Sequence, residues 1–406
     1  LDNKLGSGEL KLGHMDAIAL MVADIHRSTD VADETMDYGN KEMVYQPVEE
    51  NFRQINEHLD TELYTDKLTA LSQWSNAELI KQQTVFTQRK ADGFIRQCHG
   101  DMHLRNLVWL DNKPMAFDCI EFNPKLSWID VTSEIAFLIM DLQHRQQAQL
   151  ANHFLNSYLE VTGDYAGLSV LPYYLCYRAL VRAKVNALRL EQENITEKER
   201  EQTLTEFESY LELATAYVKQ STPKLIIMRG LSASGKSTVS QQLLDTLGAI
   251  RIRSDVERKR LFGIDSNNSV SSDKTPSEID SGSYSAHASL QTYKKLAELA
   301  SMIICAGYSV IVDAAFLKHE QREPFQLLAS HLAVSYIILE VTAPANVLRQ
   351  RIIKRKNDVS DADLKVLEHQ LTRWQGLQQD EINSAISINT AEVLHIDVLI
   401  VIIKTK

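Results

Sequence analysis

Between Leu225 and Leu247 the chain leaves an unbroken apolar run, Leu225–Met228, and enters Gly230-Leu231-Ser232-Ala233-Ser234-Gly235-Lys236-Ser237. It then continues into a helical stretch, Thr238–Leu247. The spacing GxxxxGK[ST] needs its glycines because the backbone must turn several N–H groups inward around an anion. The helix that follows adds its positive end to the same point. An apolar strand feeding such a loop belongs inside a parallel sheet, and the rest of this half agrees. Further buried-strand candidates at Ala249–Ile252, Ser309–Val312 and Val334–Leu339 alternate with helical stretches such as Tyr284–Ala306. The alternation predicts an α/β, doubly wound parallel sheet with crossover connections. Val393–Ile403, interrupted by His395 and Asp397, reads as one more buried strand. Residues 264–283 (Ile264–Ser283) are dense in Ser, Asp and Asn and read as a surface loop able to fold over a bound acceptor.

The loop pattern implies particular roles. Gly230, Ser232, Ser234, Gly235, Lys236, Ser237 and Thr238 would wrap the phosphates of ATP, with Lys236 reaching the terminal ones and the Ser237 hydroxyl holding Mg²⁺. Asp313 ends the run Val310-Ile311-Val312, where a carboxylate supports the metal shell or orients the attacking group. Asp255 follows the second apolar run and suits a general base. Arg258, one turn on, suits stabilisation of a transferring phosphoryl group. Arg349, Arg351 and Arg355 follow Pro344, and the last two, four apart, share a helix face that can close over phosphates. Solvated charge runs and surface ion pairs remain alternative readings of Glu257–Arg260 and of these arginines.

Gly230–Thr238, Arg253–Arg260, Val312-Asp313-Ala314 and the arginine-rich helix together resemble the P-loop kinase group that includes gluconate kinase, the zeta toxins and the polynucleotide 5′-kinases. The resemblance implies ATP-dependent phosphorylation of a hydroxyl, with Asp255 in the base position.

Ahead of Ser221-Thr222-Pro223, the candidate boundary, the chain has a different character, so the expected domains are 1–220 and 224–406. Residues 1–90 show helical periodicity, over Met15–His26, over Val48–Leu59 just after Pro47, and over Leu63–Thr87. Leu107–Leu110 and Met115–Phe117 flank Asp111-Asn112-Lys113-Pro114 and predict a β-hairpin. Helix returns from Trp128 to Val218, and Glu191–Glu206 reads as a solvated face.

His99-Gly100-Asp101-Met102-His103-Leu104-Arg105-Asn106 has HxDxxxxN spacing. There Asp101 accepts a hydroxyl proton, Asn106 swings back towards a metal ion, and Asp118 beyond the hairpin supplies a second metal carboxylate. Two readings compete: a hydrolytic metal site from the HxDxH spacing of His99, Asp101 and His103, and a purely structural hairpin. With Phe117–Phe122 and Trp128–Val131 the motif resembles the aminoglycoside phosphotransferase and choline kinase superfamily. The whole chain is similar to bacterial two-domain proteins that join such a unit to a P-loop domain. That resemblance implies a mostly helical protein-kinase-like C-lobe in residues 1–220. It also leads us to expect that this half begins inside the lobe, N-terminally truncated, and binds ATP poorly, because nothing before His99 reads as a β-rich lobe with a phosphate-pairing lysine.

Composition narrows the partners. A net charge of −11 weighs against a protein that coats nucleic acid, although Arg251, Arg253, Arg258, Lys259 and Arg260 form a local basic stretch. The four scattered cysteines read as reduced thiols, no apolar run reaches the ~20 residues of a membrane span, and no signal peptide is read, so a cytoplasmic protein without a membrane partner is expected. Three functions stay open: a kinase for a small-molecule hydroxyl, a nucleotide-gated binding module, and a polynucleotide or nucleotide-sugar kinase.

Overall fold

The computed structural model describes residues 1–59, 63–263, 286–354 and 364–406. Two compact units emerge, Leu1–Gln220 and Ser221–Lys406.

Every described element before Ile95 in the first unit is a helix: α1 (Asp2–Gly6), α2 (Leu12–Ser28), α3 (Lys41–His58), α4 (Thr65–Lys81) and α5 (Gln83–Ala91). In α2 the buried positions Met15, Ile18, Ala19, Val22, Ala23 and His26 recur at spacings of three and four, one apolar face laid on a neighbour. Pro47 lies inside α3 and not ahead of it; the helix survives its missing N–H because Val48, Phe52 and Ile55 beyond it are buried. β1 (Ile95–Gln97) pairs antiparallel with β4 (Trp128–Asp130), and β2 (Leu107–Leu110) with β3 (Lys113–Ala116). The expected four-residue turn is shorter. Asp111 and Asn112 alone make it, both with positive φ (49° and 59°), while Lys113 and Pro114 pair with Leu110 and Trp109. This is a two-residue hairpin turn, whose twist suits the strands. The remaining helices are α6 (Pro124–Ser127), α7 (Val131–His144), α8 (Ala148–Thr162), α9 (Leu171–Leu190) and α10 (Glu197–Tyr217). The acidic stretch after Glu191 belongs largely to α10, opened by a capping box between Thr196 and Glu199.

The second unit holds β5 (Lys224–Arg229), α11 (Lys236–Leu247), β6 (Ile250–Arg253), α12 (Ser254–Leu261), α13 (Ala286–Cys305), β7 (Val310–Asp313), α14 (His319–His331), β8 (Ser335–Thr342), α15 (Ala345–Lys354), α16 (Leu364–Arg373), β9 (Ala385–Asn389) and α17 (Ile396–Thr405). The five strands form one parallel sheet in the order β6-β7-β5-β8-β9. Alternate residues (Ile226 and Met228; Ile337, Leu339 and Val341) point into a core shared with Val239, Leu243 and Leu244 of α11 and Leu399, Ile400 and Ile403 of α17. α13 and α14 pack on strands of the same sheet, whose intervening residues Leu225, Ile227, Val310 and Val312 are equally buried. Chain order reverses at β5, which has β7 on one side and β8 on the other. Such a switch point opens a crevice at the carboxyl ends of the strands.

One expected strand is a helix. Val393–Ile403 was read as extended, yet α17 begins after His395, and Leu399, Ile400 and Ile403 are buried while Val398, Val401 and Ile402 face outward. That is helical spacing, which a run of nearly all apolar residues conceals. The fifth strand lies earlier, in Ala385–Asn389. Residues 264–283, expected to form a loop over an acceptor, and Arg355, expected at a phosphate, lie outside the described residues.

Candidate functional site

In the second unit the loop Gly230–Ser237 occupies the crevice after β5. Gly230 is confined: a Cβ there would meet the Val341 carbonyl oxygen at 2.3 Å and the Ser234 hydroxyl at 2.7 Å. Gly235 has φ +95° and is the residue from which α11 starts. A side chain is strained in that conformation, which the turn into the helix requires. Gly230 N–H donates to the Ala315 carbonyl (3.1 Å), tying the loop to the segment after β7.

Lys236 Nζ donates to the carbonyls of Gly230 and Leu231, each at 2.9 Å, so its ammonium is folded into its own loop. The Ser237 hydroxyl donates to Asp313 Oδ2 at 2.8 Å, and the Ser240 hydroxyl approaches the same oxygen at 3.3 Å. Asp313 is buried, ends β7 and lies in register with Met228 of β5. The parallel register thus puts the carboxylate beside the first turn of α11. A hydroxyl and a carboxylate so joined, beside a loop that has no room for a side chain at Gly230, match the hard oxygen donors that a magnesium–triphosphate needs.

Asp255 and Arg258 sit one turn apart on α12 and pair at 3.5 Å. Arg260 pairs with buried Glu257, and Arg251 reaches the Ser237 carbonyl and the Ser240 hydroxyl, each at 3.4 Å. Much of the basic stretch is therefore engaged inside its own unit. Arg351 donates to the Ala233 carbonyl (3.3 Å) and to Thr390 Oγ1 and O (2.8 Å each). Thr390 in turn donates to the Ser234 carbonyl at 2.7 Å. Arg349, expected alongside Arg351, instead pairs with exposed Glu368 at 2.8 Å, because two positions along a helix turn the side chain away. Lys236, Ser237, Asp255, Arg258, Asp313 and Arg351 all line one cavity of about 1510 Å³, as do Gly235 and Thr238.

Several groups escaped the sequence, among them Gln370, Thr390 and Tyr293 of the cavity lining. Gln370 Oε1 accepts the Ser232 N–H at 2.8 Å. Thr390 follows the strand that was not read. Phe316 has φ +48°, a strained setting for a bulky residue. It is held there by Tyr293, whose hydroxyl accepts its N–H (3.1 Å), and by Arg322, which donates to its carbonyl (3.1 Å). Arg322 and Glu381, both fully buried, pair at 2.6 and 2.8 Å. Burial alone would raise the Glu381 carboxyl, but the hydrogen bonds from Arg322 and Gln378 bring it down to about 2.

In the first unit the His99–Asn106 segment is also ordered from outside. Asn106 Nδ2 donates to the Asp101 carboxylate (2.9 Å) and to its carbonyl (3.0 Å). Burial pushes the Asp101 carboxyl up, but His103, Arg178 and Asn106 together hold it below its ordinary value, so it is a carboxylate at neutral pH. α7 supplies two buried acids seven residues apart, two turns along one face. Glu134 accepts the N–H groups of His99 (2.7 Å) and Gly100 (3.0 Å), and Asp141 accepts that of Leu104 (3.0 Å). Arg178 donates to the Gly100 carbonyl at 3.1 Å. The signal was present, since Glu134 and Asp141 interrupt an otherwise largely apolar helix. Asp118 follows the hairpin, exposed, with φ 63°. Its neighbour Phe117 receives His99 Nε2 (2.8 Å) on its carbonyl and donates its own N–H to Asn106 O (3.1 Å). His99 Nδ1 meets the Asp101 N–H at 3.3 Å. Both ring nitrogens of His99 are thus engaged, which speaks against the HxDxH metal reading.

Residues 225–377 match the family described as AAA domain. An uncharacterized protein of Mycobacterium tuberculosis is 27% identical over 356 residues, covering 87% of this chain and 69% of the relative, and a Mycobacterium bovis protein matches equally. Among solved structures, a sugar kinase from Janibacter sp. is 22% identical (45% of this chain, 93% of that chain, TM-score 0.34). A gluconokinase from Sinorhizobium meliloti is 17% identical (45% and 89%, TM-score 0.30). The parallel sheet, the loop and the family match agree on a P-loop domain in the second unit. Among the described residues no helix is long and apolar enough to cross a membrane.

Proposed function

We propose that the second unit is an ATP-dependent kinase that phosphorylates a hydroxyl of a small molecule. The reading rests on one observation: the loop, the Ser237–Asp313 pair and the Asp255–Arg258 pair open into a single cavity. In this reading Lys236 leaves the Gly230 and Leu231 carbonyls for the terminal phosphates, and the loop N–H groups cradle the chain of phosphates. Asp255 accepts the proton of the acceptor hydroxyl as that oxygen bonds to phosphorus and the β–γ bridge breaks. Arg258 and Arg351 offset the charge on the transferring group. Ser237 and Asp313 would hold Mg²⁺, which when bound neutralises phosphate charge. The kinase neighbours support the class of reaction and leave the acceptor open. A screen of ATP turnover against pooled metabolite hydroxyls tests the proposal; ATP binding without turnover for any acceptor favours the binding-module reading. A steep loss of acceptor binding with salt favours a nucleic-acid acceptor.

A second reading concerns the first unit, with the hydrogen-bonded pair Asp101–Asn106 in its favour: a phosphotransferase-like lobe in which Asp101 is the base and Asn106 and Asp118 are metal ligands. If it acts in this chain, phosphoryl transfer survives Lys236→Ala and is lost on Asp101→Asn.

A further inference from the structure

We propose that His26, Cys98 and Glu134 form a binding site for one thiophilic divalent cation of the zinc class, buried next to the loop that carries Asp101. The three come from separate elements: His26 from the last turn of α2, Cys98 from the residue after β1, and Glu134 from the first turn of α7. One ligand atom of each lies within 4.8 Å of the other two, and all three residues are buried.

A second observation points to a ligand independently. His26 is 4% exposed, its Nδ1 meets the Tyr158 hydroxyl at 2.8 Å, and its Nε2 is buried without a hydrogen-bond partner. A buried polar atom left unpaired costs about 1–3 kcal/mol and asks for an explanation. With the proton on Nδ1 and donated to Tyr158, the Nε2 lone pair is left for a ligand. This is how an outer hydrogen bond fixes a metal-binding imidazole.

The chemistry fits zinc better than magnesium or calcium, which take oxygen donors. One nitrogen, one sulfur and one carboxylate oxygen match zinc sites with three protein ligands. Bringing the three atoms to about 2.0–2.3 Å from a shared ion needs side-chain shifts of about an ångström. On binding, the Cys98 thiol loses its proton to solvent, and the thiolate and carboxylate charges offset those of the ion. Because the Glu134 carboxylate also receives the N–H groups of His99 and Gly100, the ion would be linked directly to the backbone ahead of Asp101.

The test uses the full chain, purified with zinc supplied and dialysed against a weak chelator. Elemental analysis should find about one zinc per chain, and cobalt(II) added to the stripped chain should give a near-ultraviolet thiolate-to-cobalt charge-transfer band. Cys98→Ser should lose both. Because a core variant can misfold, a Cys119→Ser, Cys305→Ser variant removes the two exposed thiols and must keep the band. Background zinc or no cobalt band in the unaltered chain overturns the proposal. So does loss of the band with the exposed thiols, or a folded Cys98→Ser chain that retains zinc.

Discussion

Gly230 has no space for even a methyl group, since the atom nearest its would-be Cβ is backbone, the Val341 carbonyl, and cannot swing aside. Gly230→Ala should therefore shift the loop and weaken nucleotide binding by at least about tenfold, read by calorimetry; unchanged affinity would mean that β8 yields. Asp255→Asn keeps the shape of the side chain and removes its basicity. Turnover should fall about a hundredfold or more while the Kd for ATP stays within a factor of about two, and equal losses in both would argue against a base. Asp255, which lines the cavity beside the loop, drew notice by following a candidate strand, and Gly230 was legible because the loop motif has a fixed spacing. Gln370 and Thr390 were not, for they reach the loop from elements far away in sequence, and nothing local marks an amide or hydroxyl that caps a distant backbone group.

Elements were legible where their period was unambiguous. β5, β7 and β8 are built on short apolar runs and β6 alternates isoleucine with arginine, all close to where the pattern puts them. α17 was misread because Ile396–Ile403 is apolar on nearly every face, so only burial separates Leu399, Ile400 and Ile403 from their neighbours. β9 was missed because Ala385–Asn389 carries just two large apolar residues at an edge. α14 joins the segment after β7 through Arg322, whose buried pair with Glu381 has no counterpart in a local motif. The sign of its pH dependence follows from the lowered carboxyl. Its contribution is complete above the unfolded carboxyl value of 4.5 and is lost as pH falls from there through about 2. Glu381→Gln, which leaves Arg322 buried without its anion, should cost about 3 kcal/mol at neutral pH. It should also flatten the acid limb of the stability curve between pH 4.5 and about 2. A variant whose acid limb matches the original chain refutes the assignment.

For the whole molecule, the reading places nucleotide binding in Ser221–Lys406. ATP at a hundred times its Kd should stabilise the fold that binds it by about 2.7 kcal/mol, and Lys236→Ala should remove that gain. Calorimetric stoichiometry on the full chain separates the cases: one site lost on Lys236→Ala agrees with the P-loop, whereas a site that survives belongs to the first unit. The change of period near Ser221 lies where the two compact units, Leu1–Gln220 and Ser221–Lys406, divide. The supports behind Asp101 were legible in part: Glu134 and Asp141 break a largely apolar helix, but nothing local shows that they accept backbone N–H groups or that Arg178 donates to a backbone carbonyl.

The bond from the Ser232 N–H to Gln370 means that the loop carries its own placeholder. Where a phosphate oxygen and this amide compete for one donor, arrival of nucleotide becomes a two-stage process. In rapid mixing the observed rate should level off at high nucleotide concentration, at the frequency with which α16 releases the amide. Gln370→Ala should remove that plateau and shorten the wait without altering the bound state.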